Sequence, residues 1–240
     1  MDPQTRDTVD AFWASYYGVT PEELCAPDPR VVAHAGLAGY RGLQGFVRIG
    51  SGLVLSAPPE CVETLARHVD GWSLESLLDP SRLLSLGLPA GTTVGPAFLG
   101  YTDTRHFRPA PSLTVRRLER PDREAFEELR EACEPEEWDH GGGAFELPSI
   151  GWFEDGRILA VAHYEVWGGA IAHVGVVAEP GARGAGRGHA VVSAITGLAL
   201  AEGLVPQYRT LETNAPSLAV ASDLGFEPYA RTVSVRLTAG

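Results

Sequence analysis

The residues with the clearest chemistry are arginines and glycines in the stretch Val174–Gly188, which reads VGVVAEPGARGAGRG. Gly184, Gly186 and Gly188 remove side chains at alternate positions, so backbone N–H groups can close around an anion. A helical pattern follows, and a helix adds the positive end of its dipole to such a loop. This combination suits a pyrophosphate.

Two common phosphate-binding loops do not fit these residues. A P-loop requires Gly-Lys followed by Ser or Thr, and the chain contains no lysine. The dinucleotide-binding fingerprint requires glycine where His189 stands. The pattern that remains is Arg-x-x-Gly-x-Gly at Arg183, Gly186 and Gly188, directly after a predicted strand.

A second motif follows in the same half of the chain: Asn214, with Ser217 three residues on, and then Leu224-Gly225-Phe226. The two motifs in this order resemble those of the GNAT superfamily of N-acetyltransferases, whose first motif is the acetyl-coenzyme A loop. The resemblance covers about Leu113 to Leu237. It implies a GNAT fold in this half and acetyl-CoA as the cosubstrate.

The resemblance also implies how the chain would hold the coenzyme. The main chain of Val176–Ala178 would pair with the pantetheine arm like an added strand, and the amides of Arg183–Gly188 would meet the phosphates. Asn214 would hold the coenzyme arm or act as a simple N-cap, or do both. Many family members carry a tyrosine that protonates the departing thiolate, and Ala221 stands at that position here. The implied coenzyme-binding set is Val176, Val177, Ala178, Arg183, Gly184, Ala185, Gly186, Arg187, Gly188, Asn214 and Ser217.

Direct transfer requires that the acceptor amine lose a proton, so a base or a water chain must lie near the thioester. The candidate catalytic residues are Glu165 and His173 on a predicted central hairpin, and Glu137, with His140 nearby, in an acidic segment. Each also has a structural interpretation, because strand histidines are usually hydrogen-bonded core residues and acidic segments are usually solvated. Backbone N–H groups are expected to polarise the thioester carbonyl.

The apolar pattern of the C-terminal half predicts the elements that must position these residues. Strands are predicted at Leu113–Leu118, Ile150–Phe153, Arg157–Trp167, Ala170–Ala178, Gln207–Thr213 and 230–238. Helices are predicted after Pro121, over His189–Leu204 and from Asn214 onward.

Two local features of this half carry specific expectations. Gly168-Gly169 predicts a two-residue hairpin turn, which would place Glu165 opposite Ala172 and His163 opposite Val174. The segment EPEEWDHGGGAFELP at 134–148 is expected to be a mobile loop beside the acceptor site. Its Trp138 either faces an ammonium acceptor or is buried in the core.

The N-terminal half shows mixed helical and strand patterns without the glycine loop. Helices are predicted at 5–17 and 59–69, and two or three antiparallel strands within Arg30–Pro58. The order of elements suggests a degenerate GNAT-like copy that has lost its coenzyme site. The segment RHFRPAPS at 105–112 is the best linker, so the predicted domains are 1–110 and 111–240 with a boundary near Pro111.

Composition sets the class of protein. The 240 residues are 44% hydrophobic, and the net charge of −12 argues against a nucleic-acid partner and favours cationic substrates. Cys25, Cys61 and Cys133 fit neither a disulfide framework nor a zinc site, so no metal is expected. With no apolar run of ~20 residues and a polar N-terminus, we expect no membrane contact and a cytoplasmic location.

The sequence therefore predicts an α/β protein with a mixed sheet, in which a GNAT domain follows a smaller mixed α/β domain. Its predicted activity is the transfer of an acetyl group from acetyl-CoA to a primary amine of a small molecule or peptide. A catalytically inactive acyl-CoA-binding module and a structural or interaction protein are the alternatives. The oligomeric state is open, with a homodimer as one expectation.

Overall fold

The computed structural model describes residues 1–35, 40–50, 52–69, 71–85, 90–110, 112 and 114–237. The chain divides into two compact units. Unit I comprises Met1, Tyr101–Tyr208 and Ala219–Glu227, and unit II comprises Asp2–Gly100, Arg209–Leu218 and Pro228–Gly240. Pro111 lies outside the described residues, and the division into 1–110 and 111–240 stays a prediction.

The described residues form nine α-helices and ten β-strands. The helices are α1 (Pro3–Tyr17), α2 (Pro21–Leu24), α3 (Pro59–Val69), α4 (Leu74–Leu78), α5 (Pro80–Leu84), α6 (Arg123–Ala132), α7 (Pro135–Gly141), α8 (Arg187–Ala201) and α9 (Ala215–Asp223). The strands are β1 (Pro29–Ala33), β2 (Gly42–Arg48), β3 (Leu53–Ala57), β4 (Ala90–Tyr101), β5 (Val115–Arg117), β6 (Ser149–Glu154), β7 (Arg157–Trp167), β8 (Ile171–Ala178), β9 (Val205–Leu211) and β10 (Glu227–Leu237). Parallel and antiparallel pairs both occur, which confirms the predicted α/β class with a mixed sheet.

The strands of unit I follow the order β9-β8-β7-β6-β5. Neighbours from β5 to β8 are antiparallel, whereas β8 and β9 are parallel because helix α8 carries the chain back between them. The β8–β9 pairing begins with Ile171 opposite Val205 and ends with Val174 opposite Tyr208. Strand β8 itself continues to Ala178, so its last four residues extend beyond the paired segment.

The hairpin between β7 and β8 has a longer turn than the sequence predicts. Gly168 and Gly169 have positive φ angles of 56° and 72°, as expected for glycines in a tight turn. Ala170 joins them, and its N–H donates to the Trp167 carbonyl at 3.2 Å. The ladder therefore starts with Trp167 opposite Ile171.

This extra turn residue makes the predicted register wrong by one position. Glu165 lies opposite His173, and His163 lies opposite Gly175, each one residue later than predicted. Directly opposite residues share a sheet face, so Glu165 and His173 project from the same side. A one-residue slip thus decides which candidate catalytic side chains meet.

Helices α6 and α7 pack on one face of this sheet. Phe126 and Leu129 form a buried cluster with Trp138, Val161 and Val177. The rings of Phe126 and Trp138 meet edge to face with their centroids 5.2 Å apart, a favoured aromatic geometry. Trp138 is 7% exposed, so it belongs to the core, where truncation to alanine costs about 3–5 kcal/mol.

The acidic segment expected to be a mobile loop forms helix α7, so that expectation is wrong. Pro135 occupies the first turn, where a missing N–H is harmless. Glu136 and Glu137 in the same turn complement the helix dipole. The glycines that suggested a loop lie at the end of the helix, where the Gly142 N–H still donates to the Trp138 carbonyl at 2.8 Å.

The strands of unit II follow the order β1-β3-β2-β10-β4. Strands β2 and β3 form the predicted antiparallel pair. Strand β1 instead pairs in parallel with β3, because the other edge of β2 is taken by β10. The sequence pattern predicts the strands here but not this order.

Helix α1 confirms the amphipathic helix predicted over residues 5–17. Its Trp13 and Tyr17 rings are buried and stacked, with centroids 5.6 Å apart. The buried Asp10 on the same helix accepts two hydrogen bonds from Arg48 at 2.9 Å each and one from Tyr229 at 2.5 Å. A buried carboxylate requires such partners, because leaving it unpaired would be strongly unfavourable.

Among the described residues, no helix combines the length and apolar content that crossing a bilayer requires. Cys61 and Cys133 are buried free thiols, and Cys25 is a half-buried one. Within the same ranges, no group of three or more His, Cys, Asp or Glu side chains is arranged to hold a metal ion.

Candidate active site

The glycine loop turns strand β8 into helix α8 through two left-handed residues. Gly184 and Gly186 have φ angles of 79° and 76°, a region that favours glycine. Gly186 is the N-cap of α8, and in the described structure no side chain caps this helix. The first N–H groups of α8 therefore have no intrahelical partner, and their dipole favours an anion.

The space around this loop suits a ligand that lies against the backbone. A Cβ added at Gly184, Gly186 or Gly188 would meet no described atom within 4 Å. Glycine is thus needed at the first two positions for the backbone, and all three leave room outside the loop. Backbone donors, a helix N-terminus and open space fit the phosphates of a coenzyme.

Arg187 braces the loop from inside. Its guanidinium donates to the Ala182 carbonyl at 2.9 Å and to both carboxylate oxygens of Glu154 at 2.9 and 3.1 Å. Its side chain is 19% exposed. The hydrogen bond from Trp152 and the contact with Arg187 hold the pKa of Glu154 below its ordinary value. Arg187 therefore fixes the loop to strand β6.

Arg183 lies on the outer side of the loop and contacts helix α7. It donates to the Ala178 carbonyl at 3.1 Å and to a carboxylate oxygen of Glu137 at 2.7 Å. Both side chains are nearly half exposed, at 45% and 43%. The Glu137 contact raises the pKa of Arg183. The structure thus places Glu137 at the glycine loop.

The end of strand β8 lies close to the end of α7. Val176 and Ala178 are half-buried, whereas Val177 is buried in the cluster beneath α6 and α7. A Cβ added to Gly141 would overlap the Val176 carbonyl oxygen. Glycine at this position therefore allows the close approach of α7 to the strand.

Glu165 and His173 are brought together through Trp167. The His173 ring stacks on Trp167 with centroids 4.0 Å apart and an interplanar angle of 16°. The indole N–H of Trp167 donates to Glu165 at 3.2 Å. Glu165 is exposed and His173 is half-buried. These two predicted candidates share one site, separate from the Glu137 contact.

Two side chains that sequence reasoning missed extend this site inward. His173 Nδ1 lies 2.7 Å from Gln207 Oε1, and Gln207 Nε2 donates to the Tyr101 hydroxyl at 2.5 Å. Gln207 and Tyr101 are both 0% exposed. Tyr101 and Gln207 are 106 positions apart in sequence, so no local pattern could join them.

His163 is a third side chain that was not among the predicted candidate catalytic residues. It is 5% exposed, and within the described residues its Nδ1 has no hydrogen-bond partner. A Cβ on Gly143 would lie 2.6 Å from its ring, and one on Gly175 would overlap it. Desolvation lowers the pKa of His163, against an opposing effect of Glu165, so the ring is neutral at pH 7.

A cavity of about 500 Å³ opens beside Glu165, among residues of α6, α7 and the segment that follows. Its charged lining residues are Glu127, Asp139, Glu146, Glu165, Arg123 and Arg130. Each arginine lies against one of the glutamates, Arg130 at 3.4 Å from Glu127. With four carboxylates against two arginines, the cavity has a net negative lining.

Asn214 and Ser217 belong to unit II. The Asn214 side chain accepts the Ser217 N–H at 3.2 Å, the geometry of an N-cap on α9. Their predicted role toward the coenzyme stays a prediction. Ala221 is 1% exposed in α9 and carries no group that could donate a proton.

Comparison with known proteins identifies the domain. Residues 113–226 match the model of the acetyltransferase (GNAT) family. The chain is similar to the solved structure of a GNAT-family protein from Novosphingobium aromaticivorans, with 22% identity, a TM-score of 0.50, and coverage of 64% of this chain and 69% of that chain. It is also similar to an acetyltransferase of the GNAT family from Colwellia psychrerythraea, with 17% identity, a TM-score of 0.52, and coverage of 81% and 65%.

At these identities the structural likeness shows the fold alone, and the chain spans about two thirds of the length of both structures. No curated protein sequence matches the chain. The family match covers the strand end, the glycine loop and helix α8. Residues 113–226 therefore form an acetyltransferase domain of the GNAT family, which places the chain among the acyltransferases.

Proposed function

We propose that the chain transfers an acetyl group from acetyl-CoA directly to a primary amine of a small molecule or peptide. The observation that carries this proposal is the corner between β8 and α8. There, two left-handed glycines lead into a helix N-terminus without a side-chain cap. Such a corner binds phosphates through backbone N–H groups and the helix dipole.

The coenzyme arm would lie along the end of β8. The main chain of Val176–Ala178 extends beyond the pairing with β9, which leaves it suited to pair with an amide-containing chain. Arg183 is the loop cation closest to solvent, and it would exchange its contact with Glu137 for a phosphate. Asn214 and Ser217 remain the predicted further contacts.

The acceptor amine would enter from the cavity beside Glu165. Its negative lining attracts an ammonium group, which agrees with the net charge of −12 of the whole chain. Asp139 and Glu165 are the lining carboxylates that are not set against a lining arginine. This arrangement favours a cationic amine over an anionic one.

His173 would be the base, with Glu165 as the neighbour that orients Trp167 against it. The ammonium acceptor would first release one proton to solvent. The neutral nitrogen would then attack the thioester carbonyl carbon, a C–N bond would form, and the C–S bond would break with its electron pair leaving on sulfur. His173 accepts the proton that the nitrogen loses, and the thiolate regains one proton from protonated His173 through water. Because a thiol has a pKa of about 8.5, its thiolate leaves without the acid that Ala221 lacks.

The test is turnover with acetyl-CoA and a panel of amines, measured as thiol release and as addition of one acetyl group by mass spectrometry. We expect cationic primary amines to be acetylated, and His173→Asn to lower kcat by about 100-fold, within the range of general-base catalysis. Coenzyme binding without turnover would instead support an inactive acyl-CoA-binding module. Failure to bind the coenzyme would support an interaction protein.

A further inference from the structure

The hydrogen bonds that join His173, Gln207 and Tyr101 have a defined donor–acceptor order in the structure. A glutamine Oε1 can only accept a hydrogen bond, so at 2.7 Å from His173 Nδ1 it requires a proton on that nitrogen. In the neutral imidazole the other nitrogen, Nε2, then carries the lone pair. The amide of Gln207 therefore selects one of the two tautomers of His173.

Tyr101 contacts the other end of the Gln207 amide. In the structure, Gln207 Nε2 donates to the Tyr101 hydroxyl at 2.5 Å, while Oε1 faces His173. Both partners are fully buried, so water does not satisfy these groups in their place. Reversing the amide would require Tyr101 and His173 to exchange their donor and acceptor roles together.

Trp167 fixes the remaining freedom of the ring. Its indole stacks on the His173 imidazole at 4.0 Å and is itself held by Glu165. Stacking sets the plane of the imidazole, and the bond to Gln207 sets its rotation within that plane. A base held in one orientation and one tautomer needs no rearrangement before proton transfer.

Stability alone does not require this polar chain. Burying an amide and a phenol hydroxyl is unfavourable unless both are hydrogen-bonded, and each such bond then contributes only about 1 kcal/mol net. Apolar side chains of the same shape would stabilise the core about as well. What the polar groups add is a defined donor–acceptor order of hydrogen bonds, and this order ends at His173, the proposed base.

We propose that Gln207 and Tyr101 are positioning residues that hold His173 as its Nδ1–H tautomer, with Nε2 as the proton acceptor. This inference rests on the acetyl transfer proposed above. The proposed role of Gln207 and Tyr101 is to set which nitrogen of the His173 ring carries the proton before the reaction. Neither residue contacts the substrate in this assignment.

The first test reads the tautomer directly and needs no substrate. The protein is labelled with ¹⁵N-histidine, and the His173 ring nitrogens are observed by NMR at a pH where the ring is neutral. We expect the wild type and Gln207→Glu, which keeps an acceptor oxygen, to show Nδ1 protonated. Gln207→Met, which has a similar size but only a weakly accepting sulfur, should show a mixture of tautomers.

The second test uses kinetics with the best amine of the panel. Gln207→Met and Tyr101→Phe should each lower kcat by about tenfold, the order expected when one buried hydrogen bond is lost, with little change in coenzyme affinity. The matched control is Tyr164→Phe, which removes a buried tyrosine hydroxyl bonded at 2.5 Å to Glu202 instead. It should leave both kcat and the His173 tautomer unchanged.

The outcomes separate the two proposals. An unchanged tautomer in Gln207→Met, or Nε2 protonated in the neutral wild type, overturns the positioning role whatever the turnover. If no amine is acetylated while Gln207→Met changes the tautomer, the proposed function fails and the control of the His173 ring by Gln207 stands. If Tyr101→Phe does not fold, the Gln207→Glu and Gln207→Met pair decides the question.

Discussion

Each unit contains a corner where a strand leads into a helix, and the two corners differ in what their backbones can donate. In unit II, Pro58 is the residue between β3 and α3, and the helix begins at Pro59. Neither proline has an N–H group, and Glu60 adds a carboxylate to the first turn. In unit I, residues 179–186 separate β8 from α8 and include two glycines with positive φ.

The order of strand and helix therefore does not by itself create an anion site. Both helices have a dipole, but the corner in unit II offers carboxylate and proline at the point where unit I offers N–H groups. The corner in unit I is also flanked by Arg183 and Arg187. This difference supports the prediction that the N-terminal half has no coenzyme site.

The histidines beside the two strands differ in the same way. His34 contacts the Ser56 hydroxyl of β3 at 2.9 Å and the Gly42 carbonyl at 2.8 Å, so both ring nitrogens are partnered. His163 lies beside β8 with a buried Nδ1 that, in the described structure, lacks a partner. Strand β8 thus lies beside a histidine with one unpaired buried nitrogen in the described structure, whereas both nitrogens of His34 beside β3 have partners.

The largest expected effect is on the corner in unit I. Gly186→Asp should weaken acetyl-CoA binding by at least about 100-fold, because it places a carboxylate at the helix N-terminus where the phosphates would lie. Isothermal titration calorimetry on the folded variant measures this. Gly203→Asp is the matched control, since Gly203 also has a positive φ, of 77°, and open space, but follows the other end of α8.

The same titrations test the comparison as a whole. The wild type should bind one equivalent of acetyl-CoA per chain, and Gly186→Asp should bind it at least about 100-fold more weakly. A second equivalent in the wild type would mean that unit II also contains a coenzyme site, and binding of wild-type affinity in the variant would mean that the corner in unit I does not hold the phosphates. The contrast between the two corners would then be wrong.

The next largest effect is expected from loss of the Arg187 hydrogen bonds that hold the glycine loop in place. Arg187→Gln should weaken acetyl-CoA binding by about tenfold, because it removes the hydrogen bonds that join the loop to Glu154 and to the Ala182 carbonyl. Arg157→Gln is the control, since Arg157 also bonds a glutamate, Glu179 at 3.0 Å, but its side chain is 58% exposed. Equal losses of acetyl-CoA affinity in the two variants would show that the hydrogen bonds of Arg187 have no special role in binding.

The corner in unit I could be predicted because its information is local. A β-branched run, glycines at fixed spacing and a helical pattern follow one another in the sequence, and each has a direct backbone consequence. The N-cap at Asn214 and helix α3 could be predicted for the same reason. Helix α7 was missed because its terminal glycines outweighed the stronger signal of proline and glutamates in the first turn.

The neighbourhood of His173 could not be predicted because its contacts are not local. The pair Gly168-Gly169 does not reveal whether the turn contains two or three residues, and the structure adds Ala170, whose carbonyl accepts the N–H of Val205. The meeting of Glu165 with His173 depends on that choice. The contact of His173 with Gln207 joins residues 34 positions apart on parallel strands.

The two histidines give a smaller, pH-dependent effect. Because desolvation holds the pKa of His163 below 6.5 in the folded state, the unfolded chain binds the proton more readily, and the free energy of unfolding falls as the pH drops below 6.5. His163→Gln should flatten this dependence by at most about 1.4 kcal/mol per pH unit. Urea unfolding at several pH values measures the slope.

A control variant keeps this test specific. His34→Gln should change the slope less, because His34 is only half-buried and the bond to the Gly42 carbonyl opposes the lowering of its pKa by desolvation. If His163→Gln keeps the wild-type slope, burial does not lower the pKa of the His163 ring, and the contrast with His34 disappears.

The smallest expected effect concerns Glu137, which competes with the coenzyme for Arg183. Glu137→Gln should tighten acetyl-CoA binding by about threefold, because an ion pair this exposed contributes at most about 1 kcal/mol and its removal frees the cation for a phosphate. The neighbouring Glu136 is exposed on the same helix, so Glu136→Gln is the matched control and should change affinity less. Calorimetry gives the affinity, and steady-state kinetics gives kcat/KM for the amine. A large fall in kcat/KM with unchanged coenzyme affinity would show that Glu137 moves a proton, and would set its carboxylate beside His173 as a candidate base.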